Sequence, residues 1–99
     1  MYKFIKLIGS PKKDKKWEIH LLNQQTGKIK RISFGANGYS DFTIHKNPEQ
    51  KERYIARHQV NELWTDPTKS GTLSRFILWN KPNLNDSIDD YLKRFNITK

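Results

Sequence analysis

Residues 38–64 read GYSDFTIHKNPEQKERYIARHQVNELW, and within this stretch the chain changes periodicity. Up to Lys46 the apolar residues alternate. Phe42 and Ile44 fall one way and Asp41, Thr43 and His45 the other, which predicts a short fourth strand or an extended loop. From Asn47 onward the pattern is helical. Asn47 suits an N-cap, Pro48 suits the first helical position, and Glu49 lies at the positive end of the helix dipole. The helix is predicted to run to about Leu63 or Trp64. Ala56, Val60 and Leu63 share one stripe, with Tyr54, Arg57 or His58, and Glu62 on neighbouring stripes.

Upstream, three further strands are predicted. Tyr2 to Ile8 carries apolar groups on both faces. After the charged turn Ser10-Pro11-Lys12-Lys13-Asp14-Lys15-Lys16, the residues Trp17, Ile19 and Leu21 alternate against Glu18, His20 and Leu22. Gln24 to Gly27 is a hairpin connection, with Gly27 free to take a positive φ. Ile29 to Phe34 completes an antiparallel meander. Downstream, a short helix is predicted over about Leu73 to Trp79. A third, capped by Asn83 or Asn85, carries the stripe Leu84, Ile88, Tyr91, Leu92 and Phe95. Asp86, Asp89 and Asp90 crowd its start, and Lys93 and Arg94 its end, as the dipole favours. The expected fold is therefore α+β: an antiparallel sheet of three or four strands followed by three helices packed on one face. The 99 residues make one domain, with 1–46 mainly a β meander and 47–97 helical.

Composition narrows the function. The chain has no cysteine, which excludes disulfides, thiolate metal sites and cysteine nucleophiles and fits an intracellular, reducing setting. No apolar run reaches the roughly 18 residues of a membrane span. The N-terminus reads as a strand and not as a signal peptide. The net charge is +9, and it is unevenly placed. Residues 1–58 hold 13 Lys/Arg against 5 Asp/Glu, whereas residues 59–99 hold 6 against 5. A positive field of this asymmetry attracts polyanions.

The basic residues fall into sets. Lys12, Lys13, Lys15 and Lys16 sit at a predicted hairpin tip, where a turn presents paired lysines to phosphates. Lys28, Lys30 and Arg31 form a second set on the third strand, joined by Lys3 and Lys6 on the first. Lys46, Lys51, Arg53 and Arg57 extend the stripe, with Lys46, Arg53 and Arg57 as second-rank phosphate contacts. Tyr2, Phe4, Trp17 and Phe34 suit base stacking, but they suit a core equally well. Asp41, His45, His58, Glu62 and Arg75 form a predicted polar cluster. In it Asp41 or Glu62 orients a histidine or an arginine, His58 pairs with Glu62 at i, i+4, and Arg75 is an internal partner of Glu62 or Asp41. His45, His58 and Asp41 also invite a metal-dependent nuclease reading, but their spacing matches no ligand motif. No catalytic residue, metal or cofactor is assigned.

Four runs carry a resemblance: residues 38–46 (GYSDFTIHK), 53–58 (RYIARH), 62–64 (ELW) and 74–82 (SRFILWNKP). Together they resemble a family of small uncharacterised proteins encoded by large double-stranded DNA viruses of amoebae and algae. The resemblance spans roughly residues 29–95 and leaves out the first 28. It departs from the pattern at Asn47, where an acid is expected, and at Ser70-Gly71-Thr72-Leu73, where more aromatic character is expected. It implies a viral product located in the virion or viral factory, packaged with or near the genome, and it supplies no catalytic residue. The function expected from charge and resemblance is binding of nucleic acid, DNA before RNA, through backbone phosphates with little base reading. The alternatives are a module for an acidic partner, such as another virion protein, and the nuclease.

Overall fold

The computed structural model describes residues 1–99 and shows an α+β fold. Strands β1 (Tyr2–Gly9), β2 (Lys15–Asn23) and β3 (Ile29–Ala36) form an antiparallel sheet in the order β1-β2-β3. The register places Phe4 and Leu7 beside Leu21 and Ile19, and these in turn lie near Phe34 and Ile32. This is the covered face of the sheet. Ile19, Leu21 and Phe34 are fully buried against Leu73, Phe76, Ile77, Leu78, Tyr91, Leu92 and Ile97. Tyr2, Phe4 and Trp17 pack against the same cluster, so all four strand aromatics belong to the core.

The opposite face contributes no residue to this core. Lys6, His20 and Arg31 form one row across it, and Lys3, Leu22 and Ile29 form the next. Ile5 is the extra residue of a bulge between Phe4 and Lys6. On this face His20 Nε2 meets Glu18 Oε1 at 2.6 Å, and Ser33 Oγ donates to the other carboxylate oxygen. Glu18 and His20 are thereby buried as a paired, hydrogen-bonded group.

The predicted fourth strand is a helical turn. Helix α1 (Phe42–His45) opens on Asp41, whose side chain accepts from the Thr43 backbone N–H at 2.9 Å and from the Thr43 hydroxyl. Capping decides here: over four residues a period of two and a single helical turn place Phe42 inside equally well. The turn ends at Lys46, at φ 55°, and its ammonium donates to the Thr43 and Pro82 carbonyls. Lys46 thus holds two segments together.

Helix α2 (Pro48–His58) begins as predicted, with Asn47 capping the Glu49 and Gln50 N–H groups. It ends about five residues earlier than expected. The chain leaves the helix so that Trp64 can stand edge-on to Phe76 and donate to Glu62 at 3.0 Å. The predicted stripe is consequently outside: Ala56 is exposed, Val60 is 74% exposed and Leu63 86%, while Tyr54 is the buried residue of α2.

Helix α3 (Ser70–Leu73) starts earlier than predicted and runs directly into a π-helical turn, Ser74–Leu78. The wide turn lets three consecutive residues, Phe76, Ile77 and Leu78, be buried. Helix α4 (Leu84–Arg94) is capped by Asn83, which accepts from the Asp86 N–H at 3.2 Å. Asn83→Ala is expected to cost about 1 kcal/mol of stability, measured as a lowered urea midpoint at unchanged m-value. After α4, Ile97 is buried, and Thr98 bridges Lys3 beside the outer edge of β1, with Phe4 N–H donating to Thr98 O at 2.6 Å.

Candidate functional site: a cavity and the exposed cations

The loop after β3, helix α2 and the start of α3 border a half-open cavity of about 550 Å³. The β2–β3 end forms one wall through Lys15, Lys16, Gly35 and Ala36. Helix α2 forms the facing wall through Tyr54, Arg57 and His58, and Ser70 and Ser74 close the third side. Trp79 and Leu78 also line it.

The aromatic wall is a stack. The Tyr54 and Trp79 rings lie 4.4 Å apart and nearly parallel, and His58 stacks on Tyr54 at 4.2 Å. Such pairs contribute about 0.5–1.5 kcal/mol each beyond area burial. Burial, and then the nearby Glu62, push the Tyr54 phenol far above its usual range, so it remains an O–H donor. His45 packs against Trp79 at 5.3 Å, away from His58, and its Nδ1 accepts from the Asn47 N–H.

The ion pairs of the site differ from those expected. Asp41, 2% exposed, binds Lys16 at 2.5 Å across 25 residues of sequence. Lys16 is thus a structural cation with its charge neutralised, and not an exposed contact of the hairpin tip. Glu62 accepts from Trp64 and lies 3.4 Å from His58 Nδ1, which matches the predicted i, i+4 pair. A Cβ at Gly71 would fall 2.6 Å from the Glu62 carboxylate, so glycine there makes room for it. Arg75 meets neither Asp41 nor Glu62. Its guanidinium donates to the Trp79 carbonyl and lies over the Trp64 and Phe76 rings. Burial, and then Arg94, lower its pKa. Asp41, His58 and Glu62 therefore share the cavity, whereas His45 and Arg75 stand apart. No three His, Asp or Glu side chains come together in a way that could hold a metal ion.

The remaining cations are placed in groups and not in one stripe. Lys12 and Lys13 are exposed on the β1–β2 turn. Lys30 lies opposite Leu21 and Arg31 opposite His20, so adjacent residues point to opposite faces of the sheet. Lys28 is exposed just before β3, Arg53 is exposed on α2, and Lys15 and Arg57 line the cavity. Lys51 sits 5.1 Å from the Phe42 ring centroid, and burial lowers its pKa. The cavity itself has no local sequence motif. Its walls come from four separate segments, and only the clustering of polar and aromatic residues in 38–64 signals it.

A family model matches residues 5–58. This range takes in the lysine-rich turn, which the resemblance leaves out, and stops before the run at residues 74–82. No curated protein and no solved structure matches the chain. With more than half of its length matched, the chain belongs to a family described as a family of unknown function, DUF5754.

Proposed function

We propose that the protein binds nucleic acid, double-stranded DNA before RNA, through backbone phosphates and with little reading of base sequence. The observation that carries this reading is the state of the cations in the β half. Lys3, Lys6, Lys12, Lys13, Lys28, Lys30 and Arg31 are all exposed, and none has a carboxylate within ion-pair distance. Glu18 is engaged with His20 and Asp41 with Lys16, and Asp14 is the one exposed acid of the β1–β2 turn, among four lysines. The other exposed acids are on the helices, Glu49 and Glu52 on α2 and Asp86 and Asp89 on α4, so a polyanion is drawn to the hairpins and the open face. The paired lysines of the β1–β2 turn suit a groove flanked by phosphates, which favours a duplex. The resemblance to proteins of large DNA viruses extends this reading to a protein accompanying a viral genome.

The test is duplex binding measured across a salt series. With about five phosphate contacts, log Kobs against log salt is expected to fall with a slope of about −4 to −5. Lys12→Glu with Lys13→Glu is expected to flatten that slope by about 2 and to weaken binding of every sequence alike. Binding that is unchanged at about 0.5 M salt, or absent at about 50 mM, overturns the phosphate reading. Capture of an acidic peptide without any shift of DNA would assign the basic surface to a protein partner instead.

A further inference from the structure

The cavity is lined by polar groups that the fold itself does not use. Lys16 and Asp41 neutralise each other, and Glu62 is held by Trp64 and His58. Lys15 and Arg57, on facing walls, have no carboxylate partner. Tyr54, Ser70 and Ser74 line the same space, and their hydroxyls make no hydrogen bond within the chain. Two cations and three neutral donors that converge on one cavity suit an anion with several acceptor oxygens.

The mouth suits something else. His58 ends the aromatic stack, with one ring face against Tyr54 and its side chain 41% exposed. Tyr39, 74% exposed, lines the cavity as well. Two aromatic rings open to solvent beside an anion site accept a planar heterocycle by stacking. A volume of about 550 Å³ lies within the ordinary range for small-ligand sites and is larger than a bare phosphate needs. The Glu62 carboxylate disfavours a second anionic group near α3 but can accept from a sugar hydroxyl or an exocyclic amine.

We propose that this cavity binds a nucleoside monophosphate unit. Its phosphate lies between Lys15 and Arg57, and its base lies on the His58 and Tyr39 rings. The unit is either a free nucleotide or the 5′-phosphorylated end of a strand. In the latter case the site rests on the nucleic-acid reading above and adds recognition of an end to binding along the duplex.

The experiment is an amide-resonance titration of the full chain with a 5′-mononucleotide, the corresponding nucleoside and inorganic phosphate, each alone. The mononucleotide is expected to shift the amides of Gly35, Tyr39 and Ser70 saturably, with at least about tenfold tighter binding than either fragment. Arg57→Gln and Lys15→Gln are each expected to weaken it about tenfold, and Ser70→Glu at the exposed rim to abolish it. Oligonucleotides with and without a 5′-phosphate then identify the source. A preference for the phosphorylated end that disappears in Arg57→Gln assigns the strand end, and no preference assigns the free nucleotide. The proposal is overturned if no saturable shift appears at millimolar mononucleotide, if the nucleoside or phosphate binds as tightly, or if both glutamine variants bind like the parent. Duplex binding measured on the same variants keeps the two readings separable. Loss of duplex binding with intact mononucleotide binding removes only the duplex reading, and the reverse removes only this one.

Discussion

Asp41→Ala is expected to lower the free energy of unfolding by about 3–5 kcal/mol, the cost of leaving one member of a buried ion pair without its partner. Lys16 has only 12% of its side chain exposed, so its ammonium cannot recover full hydration by staying where it is. The same substitution removes the α1 cap, since the Asp41 carboxylate also receives the Thr43 backbone N–H. Against a typical total of about 5–15 kcal/mol, a loss of this size moves the protein close to its unfolding threshold. Urea denaturation of the variant measures it. A companion keeps the cause identifiable: Asp41→Asn in a Lys16→Met background retains a cap and removes both charges, and is expected to recover most of the loss. Duplex affinity at low salt should change far less than stability. Intact stability with lost affinity would instead make Asp41 a ligand contact.

Gly35→Ala is the second large effect, with an expected cost of about 2–4 kcal/mol. Gly35 sits at φ +81°, a backbone conformation that residues with a Cβ rarely take. A Cβ there would also fall 2.7 Å from the Leu78 Cδ1 and 3.3 Å from the Lys16 Cβ. Leu78 is 2% exposed, so it has little room to move away. Gly27→Ala separates the two causes. Gly27 also has a positive φ, at +74°, but nothing lies within 4 Å of its Cβ position. It should show the backbone cost alone, about 1 kcal/mol. Equal losses at both positions would mean that Leu78 yields freely.

The parts of the fold that were legible in the sequence are those set by local rules. The β2–β3 hairpin follows from alternation and from Gly27, and α4 follows from an apolar stripe bounded by Asn83 and by Lys93 and Arg94. Where two local rules agreed only in part, the sequence misled. Phe42 and Ile44 fit a strand, but Asp41 followed by Thr43 was the stronger signal, that of a cap. Val60 and Leu63 prolonged the helical stripe of α2 on paper, yet both stand in solvent, because Trp64 draws the chain back toward Phe76. The candidate site was legible only as a density of polar and aromatic residues. The pairing of Lys16 with Asp41, and the facing of Lys15 and Arg57, join segments far apart in sequence, and no local pattern encodes either.

The bridge between Thr98 and Lys3 bears on solubility. An unpaired outer strand is a template on which another chain can add itself, and repetition of that step builds fibrils. Ile97 and Thr98 occupy part of this position beside β1, and β3 is the other flank of the sheet, with α3 close to it. Along that flank lie Lys28, Lys30 and Arg31, and two copies approaching edge to edge would bring like charges together. One flank is guarded by a covering segment and the other by repulsion. Edge-to-edge pairing at β3 therefore meets charge repulsion, whatever else these cations contact.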